Sequence, residues 1–324
     1  MKNYSIGKGI FMKKMKFFVL TASITSAVSA TFMCCIIIFA ATNYRFRFML
    51  KLSGSLLKKT LQEPIKEPFN SAQLFVAYSK MLAKYSVTKD YAATPHHDNL
   101  LGFSIDSFSY YDLNSLIHEV FAQGIYKFST HTKEPFIIDC GSNIGISILY
   151  FKSLYPRAKI IGFEPDKSTY ELLTTNLKNN NLADVVAYQK AIHPTETTLT
   201  FYSNNNAPGY PGMNIFGMAG CTSKQEISAT PLSPFITQPV DFLNIDIEGA
   251  EADLIEELDM SQKLPLIQQL VMEFHPDKNS LAKTLNILEK NNFNYVISSN
   301  AKTPFLKKYS DELLLIYAFN KGSN

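Results

Sequence analysis

The sequence predicts an α/β fold: a doubly wound, mostly parallel sheet that follows an N-terminal membrane helix and a helical extension. Three observations predict the sheet. From residue 135 onward, apolar runs of strand length alternate with helical patterns. The first run, Phe136-Ile-Ile-Asp-Cys-Gly-Ser-Asn-Ile-Gly145, ends in an acid and breaks into a turn with two glycines. The next, Ile160-Ile-Gly-Phe-Glu-Pro165, closes on Glu164. That acid lies about 20 residues beyond the glycine turn, where an open α/β sheet places a ribose-binding carboxylate.

The N-terminus has its own character. No acidic residue precedes Glu63, although Lys and Arg are frequent there, so the rest of the chain is net acidic despite an overall charge of +3. That asymmetry points to a membrane surface rather than to nucleic acid. From Phe17 to Tyr44 there is no charged residue, and Phe32-Met-Cys-Cys-Ile-Ile-Ile-Phe-Ala-Ala41 is strongly apolar. The run is long enough to span a bilayer, which needs about 20 apolar residues. We read residues 1–44 as a basic N-terminus and signal anchor, with membrane contact through residues 17–41. The implied localisation is single-pass membrane, with the catalytic domain in the cytosol where a soluble cofactor is made. The alternative is a cleaved signal or organelle-targeting segment. Cys34, Cys35, Cys140 and Cys221 make no disulfide framework.

Residues 45–102 form a helical linker region, in which Leu56, Leu57 and Leu61 share one face and Leu74, Phe75, Tyr78, Met81 and Leu82 another. A further amphipathic helix spans 112–128, and its expected role is to cover the sheet. Strands are predicted at 135–139, 159–163, 184–189, 240–246, 268–274, 293–298 and 312–318. Helices are predicted at 143–154, 167–180, 249–258 and 279–291. The early strands are unbroken apolar runs, as expected when both faces of a sheet are covered. Residues 203–238, rich in Asn, Gly and Pro, read as irregular, and His96 and His97 as part of a polar loop.

Three constellations carry candidate chemistry. The turn after Asp139 contains Gly141, Asn143 and Gly145; its Gly-Ser-Asn-Ile-Gly spacing lacks the third small residue of a pyrophosphate site. That favours a cofactor with a ribose and base but no phosphates over a dinucleotide oxidoreductase. The second, Val240-Asp-Phe-Leu-Asn-Ile-Asp-Ile-Glu-Gly-Ala-Glu251, ends a strand in Asp246 and Glu248. Acids at a strand's carboxyl end face the ligand crevice of such a sheet. The third, Val271-Met-Glu-Phe-His-Pro276, places Glu273 and His275 at another strand tip.

At these motifs the sequence resembles the FkbM family of S-adenosylmethionine-dependent methyltransferases, from about Phe103 to the last strand. The pieces that carry the resemblance are Ile138-Asp-Cys-Gly-Ser-Asn-Ile-Gly145, Gly162-Phe-Glu-Pro165 and Ile245-Asp-Ile-Glu-Gly-Ala-Glu251, with Asn176 also in place. The resemblance implies a Rossmann-like, seven-stranded methyltransferase domain over 103–324 that methylates a hydroxyl. It implies S-adenosyl-L-methionine held by Asp139, Gly141, Asn143, Gly145 and Glu164, with Glu164 on the ribose. Asp246 is the candidate base, His275 the second, and Glu248 and Glu273 border the acceptor; no metal ligand is assigned. The acceptor is expected to be a small molecule, glycan, glycolipid or other lipid-linked group. The family commonly has Lys where this chain has Asn244. The alternative function is an inactive cofactor-binding or scaffold protein at a membrane.

Overall fold

The computed structural model describes residues 68–87, 95–203, 223–275, 278–299 and 314–322, with Lys51 and Gly54. Helix α1 (Ser71–Val87) leads into a hairpin of β1 (His96–Leu100) and β2 (Phe103–Ser107). Helix α2 (Tyr110–Ile117) runs on into a π-helix, His118–Gln123. Then come β3 (Phe136–Cys140), α3 (Ile146–Leu154), β4 (Lys159–Phe163), α4 (Lys167–Asn179) and β5 (Val185–Tyr188). Three strands follow: β6 (Ala191–Ile192), β7 (Thr197–Ser203) and β8 (Ser223–Thr230). The chain closes with β9 (Val240–Ile245), α5 (Glu251–Met260), β10 (Ile267–Phe274), α6 (Lys278–Lys290), β11 (Phe293–Ser299) and β12 (Leu314–Asn320).

The central sheet has seven strands in the order β11-β12-β10-β9-β3-β4-β5. Strand β12 runs antiparallel to β10 and β11, and the other neighbouring pairs are parallel. The seven-stranded, mostly parallel Rossmann-like sheet expected from the sequence is therefore present. The inner strands are rich in apolar residues because alternate side chains enter a core on one face or the other, whereas Val186, Val296, Ile297 and Phe319 on the outer strands are exposed. Ile137, Phe242 and Val271 belong to the core on one side, with α1 to α4. Ile138, Leu243 and Met272 belong to the core on the opposite side, with α5 and α6.

The N-terminal part of the described chain packs on the first of these cores. Leu74, Tyr78 and Met81 of α1 are fully buried there, each worth roughly 1.5–3 kcal/mol on transfer from water. The hairpin is held differently. Asn176 on α4 and Asn180 at its C-cap, one turn apart, act as a substitute strand for β2. Asn176 accepts from the Asp106 N–H at 2.7 Å and donates to its carbonyl at 3.0 Å. Asn180 does the same for Ser104, at 2.9 and 2.8 Å. Asn176 also donates to the Ile144 carbonyl at 2.9 Å, so one buried amide joins the hairpin to the glycine turn.

Several expectations are corrected. No helix among the described residues is long and apolar enough to cross a membrane. The longest, α1, has 17 residues, about 26 Å at 1.5 Å per residue, against a hydrocarbon core of about 30 Å. The expected membrane helix, the membrane contact through residues 17–41, the single-pass localisation with its cytosolic domain, and the lipid-linked acceptor built on them are therefore not carried forward. Residues 17–44 themselves, like Leu56, Leu57 and Leu61, lie outside the described residues. His96 and His97 lie on β1, not in a loop, where His97 pairs with Asp106 across the hairpin. Within 203–238, Ser223–Thr230 is a strand: β8 pairs with β6 and β7 in a small separate sheet.

Candidate active site

Chain order along the sheet reverses between β3 and β9, which opens a crevice beyond their carboxyl ends. Its volume is about 490 Å³, within the roughly 300–1,000 Å³ typical of small-ligand sites. One wall is the glycine turn with Phe163, Glu164 and Pro165, and the facing wall is Asp246, Glu248, Glu273 and His275. Helix α2 and the π-helix close a third side through Tyr111, Ser115 and Glu119.

The glycine turn is shaped by left-handed backbone. Gly141 has φ 91°, Asn143 46° and Gly145 92°. A Cβ on Gly141 would lie 1.8 Å from the Asp246 carbonyl oxygen. The close approach that requires glycine is thus to the protein's own second strand tip. Asp246 N–H donates to the Cys140 carbonyl at 2.9 Å, sealing the same junction. Gly145 caps α3, where a Cβ would meet the Leu173 side chain at 2.8 Å.

Glu164 is 5 % exposed, at the end of β4. One carboxylate oxygen accepts from the Asn143 N–H at 3.0 Å and the other from the Asp166 N–H at 2.9 Å. Burial pushes its pKa up to about 8 against those bonds, with Asp166 and Asp139 adding repulsion. Each oxygen keeps a free lone pair, so the group is oriented to accept from a vicinal diol.

Asp139 is fully buried beneath the crevice rather than on its wall. Its oxygens accept from Asn244 at 2.8 Å and from Ser147 at 2.7 Å, and Ser147 lines the crevice. Burial raises its pKa, and these hydrogen bonds hold it down. Asn244 is its registered neighbour on β9 and is equally buried. An uncharged amide therefore stands where the family commonly carries a lysine, and its own carbonyl oxygen finds no partner among the described residues.

Parallel pairing of β9 with β10 sets Met272 beside Ile245, which brings the polar tips of both strands together. Asp246 is raised well above the usual carboxylate range by burial and then by Glu273 and Glu248, with His275 opposing. His275 is gripped from two sides: Nε2 lies 3.2 Å from Glu248 and Nδ1 3.0 Å from Glu251. Burial disfavours its charge, yet the two carboxylates raise its pKa to about 11, so both ring nitrogens carry protons. Glu248 has φ 55°, a conformation that costs a non-glycine residue of order 1–3 kcal/mol. Glu251, 1 % exposed, also accepts from the Gly249 N–H at 2.8 Å, which ties the turn to the start of α5.

Of the residues singled out in the sequence, Gly141, Asn143, Glu164, Asp246, Glu248, Glu273 and His275 line this one crevice, whereas Asp139 and Gly145 support it from behind. Three lining residues carried no motif. Tyr126, buried, donates its hydroxyl to Glu273 at 2.5 Å. Glu119 is open to solvent by area, but its packed surroundings, then Glu273, raise its pKa. It projects from the π-helix, a geometry frequent at functional sites. Ser147 was hidden inside a predicted helix; a polar residue in an otherwise apolar first turn was the available signal.

A family model described as the methyltransferase FkbM domain matches residues 139–295, which include the end of β3, all of β4, β9 and β10, and every strand-tip acid above. Methyltransferase 1 of Beauveria bassiana (strain ARSEF 2860) is 28 % identical over 218 residues, covering 59 % of this chain and 85 % of that protein. Methyltransferase sdnD of Sordaria araneosa is 27 % identical over 205 residues, covering 52 % and 79 %. The crystal structure of methyltransferase FkbM from Methylobacillus flagellatus KT has a TM-score of 0.43 at 14 % identity. That comparison covers 83 % of this chain and 58 % of the other, and the assignment does not depend on it. With its glycine turn and acid-tipped strands inside the matched segment, the chain carries an FkbM-type domain over residues 139–295 and is an S-adenosylmethionine-dependent methyltransferase.

Proposed function

We propose that the protein methylates a hydroxyl group of a small polar acceptor, such as a glycan or another small molecule. The observation that carries the reading is the position of Asp246. Its carboxyl sits at the strand-switch junction, between the Glu164 wall and the wall of Glu248, Glu273 and His275.

The cofactor end is assigned to residues whose chemistry fits it. Glu164, fixed by two backbone N–H groups, accepts from the ribose hydroxyls. Phe163 and Ile192 supply apolar wall for the base. The turn through Gly141 and Asn143 lies between them and Asp246, and Asp139 and Gly145 keep it in shape. When bound, S-adenosylmethionine supplies an electrophilic methyl group on a sulfonium.

The protein's remaining task is alignment and proton removal. Holding the hydroxyl in line with the methyl group supplies about 7–11 kcal/mol of the barrier. Asp246, in its ionised form, accepts the hydroxyl proton, and such a base adds about 10²–10⁴-fold. His275, with both nitrogens donating to carboxylates, acts as a positioning residue that holds Glu248 and tempers the repulsion on Asp246.

The test is Asp246→Asn, assayed with labelled S-adenosylmethionine against a panel of sugars and polyols. Methyl transfer should fall by about 10²-fold or more, with S-adenosylhomocysteine affinity kept. Normal transfer by this variant rules Asp246 out as the base.

A further inference from the structure

The acceptor end of the crevice holds more carboxyl groups than the proposed chemistry uses, and a cation beside them would favour their ionised forms. We infer that the acceptor is cationic: a small polyhydroxyl compound with an ammonium group close to the hydroxyl that is methylated. This inference rests on the methyltransferase reading of the same crevice and narrows it.

Four acids line this end: Glu119, Asp246, Glu248 and Glu273. Among the described residues the positive charge within reach is His275, and it is spent on Glu248 and on Glu251 behind it. Lys190 lines the opposite end, after β5, and is paired with Glu196 at 2.8 Å. A sulfonium brings a single positive charge, so it cannot offset the acids by itself.

Two further observations point to the occupant. The Glu119 carboxylate makes no hydrogen bond or ion pair among the described residues, although the π-helix brings it to the crevice and within electrostatic reach of Glu273. Tyr111 and Tyr126 line the same end. Carboxylates together with aromatic rings are the surroundings that an ammonium group prefers. An anionic acceptor meets the opposite: like charges brought together at a binding surface cost several kcal/mol. A neutral polyol could hydrogen-bond to the acids but would leave their repulsion in place.

Calorimetric titration of the full chain, saturated with S-adenosylhomocysteine, tests this with D-glucosamine, D-glucose and D-glucuronate, which are similar in size and differ in charge. Glucosamine is expected to bind about ten-fold more tightly than glucose, with glucuronate weakest. Glu119→Gln should reduce the glucosamine advantage by about two- to five-fold, as for a partly exposed ion pair, and Glu119→Asp should retain more of it. No binding of glucosamine, equal affinity for the three sugars, or a preference for glucuronate overturns the inference. Failure to bind S-adenosylhomocysteine in the first place overturns the cofactor reading instead, and the two failures are read in separate titrations.

Discussion

Gly141 and Asp246 meet backbone to backbone: a methyl group on the glycine would stand 1.8 Å from the aspartate's carbonyl oxygen. The tips of β3 and β9 are therefore locked at a distance that only glycine permits, and this contact sets where Asp246 stands relative to the turn. Gly141→Ala meets both that clash and a left-handed φ of 91°. The expected loss is about 3 kcal/mol or more, read as a lowered midpoint in urea denaturation. A variant as stable as the parent would mean that the two tips are not in contact.

The Asp139–Asn244 pair yields a second expectation. Removing the amide leaves a fully buried carboxylate oxygen without its donor. Asn244→Ala should cost about 1–3 kcal/mol of stability. Because Asn244 lies below the crevice, S-adenosylhomocysteine affinity, measured by calorimetry, should change far less than stability does. A large loss of affinity without a loss of stability would place Asn244 at the ligand instead.

Glu164 makes stability and binding depend on pH in opposite senses. Its folded pKa, about 8, lies above the ordinary 4.5. Between those values the folded state holds the proton more tightly than the unfolded state does. The ligand-free protein should therefore lose stability as pH rises from about 4.5 to about 8, with no further loss from this group above that. Ribose hydroxyls donate to the ionised form, so cofactor affinity should rise over the same window and a proton should be released on binding. Calorimetry in buffers of different ionisation enthalpy measures that proton, and Glu164→Gln should abolish both trends.

The His275 clamp carries a stability trend of the same sign at higher pH. A base whose folded pKa is raised from 6.5 to about 11 contributes stability that is full below about pH 6.5 and lost as pH rises towards 11. The stability gap between the parent and His275→Ala should be widest at pH 6 and narrow steadily above it. A gap that does not vary with pH would mean that His275 is held neutral.

Much of this arrangement was legible in the sequence because its signals are local. β3 and β4 are nearly continuous apolar runs, and Asp139, Glu164, Asp246 and Glu273 lie at or beside the carboxyl ends of β3, β4, β9 and β10. The small sheet escaped notice because Ser223-Lys-Gln-Glu-Ile-Ser-Ala-Thr230 carries few apolar residues, its core being little more than Ala191, Phe201, Ile227 and Ala229. The polar strand His96-His-Asp-Asn-Leu100 has loop-like composition, since only Leu100 of β1 enters the core and β2, its partner in the hairpin, is held by Asn176 and Asn180 as well as by buried Ile105. Glu119 and Tyr126 reach the crevice only through the folding of α2 and the π-helix over the sheet. No spacing along the chain encodes that long-range placement. Gly141 was identified correctly as a point of close approach, but a sequence cannot show that the approaching group is Asp246.

The Glu164 wall is proposed to bind S-adenosylmethionine. The most direct test is calorimetric titration of the full chain and of Glu164→Gln with S-adenosylmethionine and with NAD in parallel. The expected result is binding of S-adenosylmethionine but not NAD by the parent, weakened about ten-fold in the variant, as for a lost hydrogen bond to a charged group. Equal affinity in parent and variant, or binding of NAD alone by the parent, would contradict it.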